Sequence, residues 1–377
     1  HALPHRYVLS SACLSSLSRS RLNCFPEFGL AYSLTKIGLT VTRRSLERWL
    51  QREWQKNSAW QLVLWPLSQI FRTVVYLRRL AYRLGLLPSY KIPVPTIVVG
   101  NITVGGTGKT PLTLWIVRLL REQRLSPGII SRGYLGKNLT PRQVDAGSDP
   151  DLVGDEPLLM AKSSRCPVWV GKDRVATARA LLKHHPQCNV LVCDDGLQHY
   201  RLRRDMEIAV VDGEKLFGNR RLLPAGYLRE PVSRLASLDA IVVNGGTKPA
   251  PGQYQMSLVG DIFFNLAQPE RCENAAAFRG KKICALAGIG NPNRFFVQLK
   301  NMGLEFSEHA FPDHHHYRPE DLPVEAEVVL MTEKDAVKCF AFATEKCWFL
   351  KVEARVDASF GVKLLQIIRN YHGSQTA

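Results

Sequence analysis

The residues Thr103–Thr110 read Thr-Val-Gly-Gly-Thr-Gly-Lys-Thr and have the composition of a phosphate-binding loop. In such a loop, glycines let backbone N–H groups surround phosphate oxygens, a lysine reaches the β- and γ-phosphates, and a hydroxyl ligates Mg²⁺. Thr103 replaces the usual first glycine, and an ordinary glycine-rich turn is the alternative. The pattern predicts a nucleoside triphosphate site. Its predicted residues are Thr103, Val104, Gly105, Gly106, Thr107, Gly108, Lys109 and Thr110.

Two adjacent carboxylates, Asp194 and Asp195, follow the apolar run Val190–Cys193. A buried strand that ends in a carboxylate is typical of a Walker B element, which delivers an oxygen ligand to Mg²⁺. A plain strand followed by an Asp-Gly turn at Asp195 and Gly196 is the alternative. Because a phosphate loop is already present, we favour a metal ligand at this position.

Three further polar groups could take part in chemistry. Gly154–Pro157 contains two acidic residues, although it could also be only a helix cap. Arg229 and Glu230 could form an ordinary surface ion pair. Phe311–Tyr317 contains three adjacent histidines, which cannot all face one metal ion from regular structure. One functional histidine beside two solvated ones is therefore the favoured interpretation.

Strands and helices alternate around these residues. The apolar run Thr96–Gly100 predicts a strand before the phosphate loop, and apolar residues recur at helical spacing after it. Further strands are predicted at Ser126–Ser131, Val168–Val170, Val190–Asp194, Met206–Val211 and Ala240–Asn244, with a helix at Lys172–His184. This alternation predicts an α/β fold of the P-loop NTPase type, with a mostly parallel sheet flanked by helices. Ligand sites in such sheets lie at the carboxyl ends of the strands.

Composition suggests five segments. Residues 1–42 are rich in Ser and Leu without regular apolar spacing, so we expect a dispensable extension. Residues 43–90 predict an amphipathic helical segment, and 91–247 the nucleotide-binding core. Residues 248–265 are expected to be a linker. Residues 266–377 predict a smaller C-terminal α/β subdomain, whose first strand is Ile283–Ala287.

Charge and cysteine content restrict the kinds of partner and the cellular compartment that we expect. The 377 residues carry 50 Lys and Arg against 33 Asp and Glu, a net charge of +17, which predicts an anionic partner. Nucleic acid, an acidic membrane surface and a phosphorylated substrate all fit that charge. The nine cysteines include no Cys-x-x-Cys motif, which favours free thiols in a reducing compartment.

The segment 43–90 carries four of the seven tryptophans, together with nine basic residues and only two glutamates. Its apolar stretch from Trp60 to Leu86 is interrupted by polar residues and Pro66, which is too broken for a spanning helix. Trp and Arg beside apolar residues favour a helix that lies in a membrane interface and faces anionic lipid. A soluble helix packed on the core and a nucleic-acid-binding arm are the alternatives.

Seven motifs, taken in order, resemble those of the tetraacyldisaccharide 4′-kinase family of lipid A biosynthesis. Threonine at the first loop position is also a trait of that family. Leu197 and Tyr227 are small departures, at positions where the family often has Phe and Pro or a small residue. The motifs are Gly100–Pro111, Ser131–Tyr134, Gly154–Pro157, Asp194–His199, Pro224–Pro231, Phe311–His315 and Thr332–Asp335.

The resemblance implies a lipid kinase. ATP would donate its γ-phosphate to the 4′-hydroxyl of a tetraacyldisaccharide 1-phosphate, giving lipid IVA. The implied cofactors are ATP and Mg²⁺, and the implied location is the cytoplasmic face of a bacterial inner membrane, with peripheral or monotopic attachment. The lipid A precursor and an anionic membrane surface would then be the partners, and we expect no nucleic acid partner.

The resemblance also implies roles for individual residues. Asp155 and His314 resemble the family's catalytic pair, in which either residue could take the proton, and Lys109 and Arg229 would stabilise the transferring phosphoryl group. Thr110, Asp194 and Glu230 would hold Mg²⁺. Expected contributors to the substrate side, or to support of these residues, are Arg132, Tyr134, Asp195, Gln198 and His199.

Two rival functions are a membrane-targeted switch ATPase and a nucleic-acid-dependent ATPase. The first class carries an additional lysine early in the phosphate loop, where this chain has Val104. The second would need basic and aromatic residues spread over the sheet domain, whereas here they concentrate in residues 43–90. Both rivals are therefore weaker than the lipid kinase interpretation.

Overall fold

The computed structural model describes residues 49, 53, 54, 56, 58–133, 140–246 and 248–373. The predicted extension 1–42 and the predicted site residue Tyr134 lie outside this part of the chain. The described helices are α1 (Trp60–Arg83), α2 (Lys109–Glu122), α3 (Pro150–Val153), α4 (Asp155–Ser164), α5 (Arg174–His184), α6 (Pro292–Asn301), α7 (Glu333–Cys339) and α8 (Ala358–Gly373).

The strands fall into two sheets. The first group is β1 (Thr96–Gly100), β2 (Pro127–Ser131), β3 (Arg142–Val144), β4 (Val168–Val170), β5 (Val190–Asp194), β6 (Met206–Asp212), β7 (Ala240–Asn244) and β8 (Tyr254–Val259). The second group is β9 (Ile262–Asn265), β10 (Cys272–Asn274), β11 (Ile283–Ala287), β12 (Ser307–Ala310), β13 (Val328–Thr332) and β14 (Cys347–Leu350). The last strand, β15 (Glu353–Val356), joins the first group.

The larger sheet has the strand order β15-β8-β7-β6-β1-β5-β2-β4-β3. The strands from β8 to β4 run parallel, whereas β15 and β3 are antiparallel edges. Strands β1 and β5 are buried along their whole length, as expected for apolar strands covered on both faces. Val99 pairs with Asp194, so the phosphate loop after β1 and the carboxylates after β5 share one edge of the sheet.

Helices cover both faces of this sheet. On one face, Leu112 and Ile116 of α2 pack with Phe360 and Leu364 of α8. On the other face, Leu181 of α5 lies in a separate core, and α1 contributes only partly buried contacts to it. The predicted α/β fold with a mostly parallel, helix-flanked sheet is confirmed.

The smaller sheet has the order β10-β9-β14-β13-β11-β12. Its strands β12, β11, β13 and β14 are parallel, and β9 and β10 extend it in antiparallel fashion. Phe295 and Leu299 of α6 pack on one face, and Ala336 and Cys339 of α7 pack on the other.

The predicted linker at 248–265 is not a loose segment. It contains β8, which extends the larger sheet, and β9, which belongs to the smaller one. In β8 only Met256 is buried, so the strand lacks the alternation that would have revealed it in the sequence. The C-terminal range 266–377 holds most strands of the smaller sheet, and its last elements, β15 and α8, return to the larger sheet.

Helix α1 continues through Pro66 for 24 residues and presents an unusual surface. Its buried residues are the polar Gln61 and Ser68, and Ser68 Oγ donates a hydrogen bond to the carbonyl of Leu222 at 2.8 Å. The exposed large apolar side chains of this helix are Trp60, Leu62, Val63, Trp65, Leu67, Ile70, Val74, Tyr76 and Leu77. Among the described helices, none is long and apolar enough to span a bilayer.

Candidate active site

The phosphate loop joins β1 to the first turn of α2, and side chains fix its shape. Gly105 and Gly108 have φ angles of 103° and 96°, which favour glycine. The Asn101 side-chain amide donates to the carbonyl of Gly105 at 3.3 Å, and the Asn244 amide donates to the carbonyl of Thr107 at 3.0 Å. A Cβ on Gly108 would lie 2.4 Å from the Asn244 amide nitrogen, so this position excludes a side chain.

A second segment pairs with the loop and delivers Arg229. The backbone N–H of Val104 donates to the carbonyl of Tyr227 at 2.8 Å, and that of Arg229 donates to the carbonyl of Ile102 at 2.7 Å. These bonds satisfy backbone groups that would otherwise be buried unpaired. They also hold the Arg229 side chain beside the phosphate loop.

Lys109, Arg229 and Asp195 form one charged cluster. Lys109 Nζ lies 3.5 Å from Asp195 Oδ1, and Arg229 Nη1 lies 3.3 Å from Asp195 Oδ2. Burial opposes ionisation of Asp195, but the charges of Lys109 and Arg229 outweigh it and lower its pKa to about 2. The two cations predicted to act on the transferring phosphate therefore converge on a single anion.

Asp194 lies at the carboxyl end of β5 without a cationic partner in ion-pair contact among the described residues. Its carboxylate accepts hydrogen bonds from Thr113 Oγ1 at 3.3 Å and Ser131 Oγ at 3.4 Å. Burial, followed by the charges of Glu156 and Asp195, raises the pKa of Asp194 despite the opposing charge of Lys109. A divalent cation would stabilise the ionised form of such a carboxylate.

The donor set fits Mg²⁺ better than a metal held by the protein alone. Thr110 lies in the first turn of α2 beside the loop, and Asp194 supplies a hard carboxylate oxygen. No cluster of three or more His, Cys, Asp or Glu suitable for a metal occurs in the described part of the chain. Mg²⁺ is usually held by one or two protein oxygens together with phosphates and water, so this small set is sufficient.

Glu230 is buried against other groups. It accepts hydrogen bonds from the hydroxyl of Tyr200 and from Gln198 Nε2, and it lies 3.7 Å from Arg234 Nε. Burial raises the pKa of Glu230 against the effect of Arg234. None of these contacts joins it to Thr110 or Asp194, and it does not pair with Arg229. Its assignment as a metal ligand stays a prediction.

Asp155 and His314 are distant in sequence and contact each other in the structure. Asp155 is the first residue of α4, and His314 lies in the loop after β12. His314 Nδ1 lies 2.9 Å from Asp155 Oδ2 and 3.1 Å from Oδ1. Burial opposes ionisation of Asp155, but the hydrogen bond from His314 and the charge of Lys334 lower its pKa well below the usual range. Against burial, the bond with Asp155 raises the pKa of His314.

The three adjacent histidines have three different environments. His314 joins Asp155, whereas His316 is exposed beside Asp151. The expectation of two solvated histidines is wrong for His315, whose ring stacks on Phe311 with centroids 4.4 Å apart. His315 Nε2 also lies 3.0 Å from Asp321 Oδ2, so this residue supports the loop.

The other predicted residues are more dispersed. Gln198 Nε2 donates to the carbonyl of Asn101 at 2.9 Å and so supports the phosphate loop. Arg132 is exposed at the end of β2. His199 lies 4.0 Å from Asp173 at the start of α5, and burial followed by the charge of Arg174 lowers its pKa to about 3. His199 thus contacts neither Asp155 nor Lys109.

Sequence reasoning assigned no role to Asn101, Thr113 or Lys334. Asn101 and Lys334 lie inside motifs quoted above, which was the available signal, and Thr113 falls one helical turn after Lys109. Their contacts are with residues distant in sequence, such as Asp194 for Thr113 and Glu156 for Lys334. Residue type and spacing alone do not reveal such contacts.

Comparison with known proteins gives a decisive result. The sequence model of the family described as tetraacyldisaccharide-1-P 4′-kinase matches residues 60–369. The chain belongs to this family. It is similar to the tetraacyldisaccharide 4′-kinase of Methylobacillus flagellatus, with 50% identity over 323 residues that cover 85% of this chain and 96% of the relative. The enzyme of the same name from Azoarcus sp. strain BH72 is 48% identical over 86% of this chain and 96% of its own length.

A solved structure agrees with the family. The chain is similar to LpxK from Aquifex aeolicus, crystallised in complex with ATP, with a TM-score of 0.70 and 29% identity. The match covers 82% of this chain and 99% of that one. As a member of the tetraacyldisaccharide 4′-kinase family, the chain is an ATP-dependent kinase of lipid A biosynthesis. The switch ATPase and the nucleic-acid-dependent ATPase are not favoured.

Proposed function

We propose that the chain transfers the γ-phosphate of ATP to the 4′-hydroxyl of a tetraacyldisaccharide 1-phosphate. Asp155 and His314 act together to remove the proton of that hydroxyl. The observation that carries this proposal is the Asp155–His314 pair, in which the first residue of α4 and a residue of the loop after β12 lie 2.9 Å apart. A sugar hydroxyl is a very weak acid, so its attack requires a positioned proton acceptor. Family membership supports the substrate class, and the pair supplies the chemistry.

Asp155 is the residue we assign to accept the proton. Both ring nitrogens of His314 already face other groups, since Nδ1 faces Asp155 and Nε2 lies 3.5 Å from Lys334 Nζ. A carboxylate with a lowered pKa is a weak base, yet it is ionised at every physiological pH. In a loose phosphoryl transfer the hydroxyl becomes acidic as the bond to phosphorus forms, so a weak base suffices. His314 then orients Asp155.

Nucleotide binding follows from the loop. Lys109 and the loop N–H groups would hold the β- and γ-phosphates, and Arg229 would offset charge on the transferring group. Thr110 and Asp194 would hold Mg²⁺, which supplies charge neutralisation for the phosphates. In the structure Lys109 and Arg229 both contact Asp195, which keeps the two cations close together.

The exposed apolar face of α1 supports attachment to a membrane surface. Exposed contiguous apolar residues on a soluble chain mark an interaction site, and here polar residues of the same helix face the protein. Next to the end of α1 lies a cleft of about 570 Å³ that carries five arginines against one glutamate, Glu207. Arg204 and Arg234 pair with Glu207, whereas Arg79, Arg83 and Arg203 suit anionic headgroups. We place the enzyme on the cytoplasmic face of the inner membrane, where ATP and the lipid meet.

Mass spectrometry of the product tests this function. The protein is mixed with ATP, Mg²⁺ and a tetraacyldisaccharide 1-phosphate in detergent micelles, and the lipid is analysed for one added phosphate at the 4′ position. Parallel reactions replace the lipid with DNA or RNA and measure ATP hydrolysis. We expect lipid IVA and no stimulation by nucleic acid. Stimulated hydrolysis without a phosphorylated lipid would refute the proposal.

A further inference from the structure

Lys334 is a buried cation at the junction of three segments. It is the second residue of α7, directly after β13, and its side chain is 16% exposed. Its ammonium lies 2.9 Å from Glu156 Oε1 at the start of α4 and 3.2 Å from Asp313 Oδ1 in the loop after β12. Lys334 thereby ties α4, which packs on the larger sheet, to two segments of the smaller sheet.

The same ammonium faces the catalytic pair. It lies 3.5 Å from His314 Nε2 and 3.9 Å from Asp155 Oδ2. When the ammonium donates to Nε2, that nitrogen must be the unprotonated one, and the proton of neutral His314 must then reside on Nδ1. That tautomer donates its N–H to Asp155, which is the geometry that the reaction requires.

We propose that Lys334 is a positioning residue for phosphoryl transfer: it fixes the tautomer of His314 and fastens the His314 loop to α4, without contacting the substrate. This inference rests on the proposed function of Asp155 and His314. The alternative is a purely structural ion pair between Lys334 and Glu156, which would leave the proton chemistry unchanged.

The charges around Asp155 support a direct effect on the pair. Asp155 and Glu156 come from α4, Asp313 and His314 from the loop after β12, and Lys334 from α7. The next lysine of α7, Lys338, is engaged by Asp335 at 2.9 Å. Three carboxylates therefore face one lysine and one histidine. Burial of Asp155 opposes its charge, and His314 and then Lys334 lower its pKa.

Loss of Lys334 should act through His314 rather than through the ionisation of Asp155. The pKa of Asp155 lies well below its usual range, and the hydrogen bond from His314 lowers it more than the charge of Lys334 does. Asp155 therefore stays ionised at neutral pH without Lys334. His314 Nε2 would lose its donor, and Asp313 Oδ1, which lies 3.8 Å away, would favour a proton on that nitrogen.

The test combines two measurements on Lys334→Met in the full chain in detergent micelles: kcat at neutral pH with saturating ATP and lipid, and the ¹⁵N NMR shifts of the His314 ring, assigned by their loss in His314→Gln. We expect kcat to fall about tenfold or more and the ring shifts to show a proton on Nε2. KM for ATP should change less than about threefold, because Lys334 has no contact with the phosphate loop. Lys334→Arg should restore part of kcat and the ring shifts of the intact protein, since it keeps the charge.

Lys162→Met is the matched control. Lys162 also connects α4 to the end of α7, because its ammonium lies 3.5 Å from the centre of the Phe340 ring, but it has no contact with Asp155 or His314. We expect this variant to keep the kcat and the His314 ring shifts of the intact protein. If Lys334→Met does not fold, Lys334→Met/Glu156→Gln removes the strongest partner too, and the same change in the His314 ring is expected.

Two results would overturn the inference. One is a folded Lys334→Met protein with kcat within about twofold of the intact chain. The other is a loss of kcat with unchanged His314 ring shifts that Lys162→Met reproduces, which would indicate a structural role. Failure of the proposed function looks different, because the intact protein itself would then make no lipid IVA.

Discussion

At the residue scale, the pKa values of two buried carboxylates in this chain are shifted in opposite directions. Asp155 is surrounded by His314 and Lys334, and its pKa is low despite burial. Asp194 is surrounded by hydroxyls and other carboxylates, and burial raises its pKa. A carboxylate that is already ionised can accept a proton from a substrate. A carboxylate without a neighbouring cation is suited to bind a metal cation. Environment rather than residue type therefore separates the proposed base from the proposed metal ligand.

Lys109→Ala should abolish most of the transfer. No other side chain of the phosphate loop carries a positive charge, so the transferring phosphate would lose its closest cation. We expect kcat to fall about 10²–10³-fold or more, measured as the rate of lipid phosphorylation at saturating ATP. Lys183→Ala, at an exposed position of α5, is the control and should keep full activity. Near-normal activity of Lys109→Ala would remove the phosphate-loop assignment.

Asp194→Asn should separate metal binding from folding. The amide keeps the shape of the side chain and can still pair with Thr113 and Ser131, so the thermal midpoint without metal should not fall by more than a few degrees. The Mg²⁺ concentration for half-maximal activity should rise about tenfold or more. Activity titrations and thermal denaturation with and without Mg²⁺ measure the two effects. An unchanged Mg²⁺ requirement would contradict the assignment.

The chemistry of single residues could be read from sequence only where a motif carries it. Lys109 and Asp155 follow from their motifs, and the structure brings Asp155 to His314 across 159 positions. Asn101 and Lys334 have no sequence pattern that states their partners. Their roles arise because separate segments close around them, which a linear pattern does not contain.

At the scale of elements, α1 reverses the usual orientation of an amphipathic helix. Gln61 and Ser68 face the protein, and large apolar side chains face outward. The sequence predicted an amphipathic segment here. It did not show that the polar face of the helix would pack against the protein. The linker prediction at 248–265 was wrong for a related reason. Strand β8 pairs with β7, a long-range contact that outweighs the weak local pattern.

The outward face of α1 should bind membranes through apolar burial more than through charge. High salt should release the protein only partly, since salt screens the arginines but not the apolar contacts, and detergent should release it fully. Leu67→Gln/Ile70→Gln should weaken sedimentation with vesicles of mixed neutral and anionic phospholipid. Val362→Gln, also an exposed apolar position but on α8, should not. Complete release of the intact protein by salt alone would show that attachment is only electrostatic.

At the scale of the whole molecule, the proposed active site lies where loops that follow strands of the two sheets contact each other, beside the phosphate loop. A Cβ on Gly290, in the turn after β11, would lie 2.9 Å from the Gly106 nitrogen, so the sheets approach closely there. Lys215 Nζ donates to the Gly290 carbonyl at 3.3 Å, and Arg294 lies 3.4 Å from Asp212. The sequence predicted both α/β units but not their contact, because no local pattern encodes which loops touch.

Asp155 of α4 and His314 of the loop after β12 are proposed to act as a single unit on the proton of the acceptor hydroxyl. The most direct test is a double-mutant cycle on kcat for lipid phosphorylation with Asp155→Ala, His314→Ala and both together, at saturating ATP. We predict that each single change lowers kcat about 10²-fold or more, with little effect on ATP binding. The double variant should lose much less than the product of the two losses. Losses that multiply would contradict the account, because the two residues would then perform separate tasks.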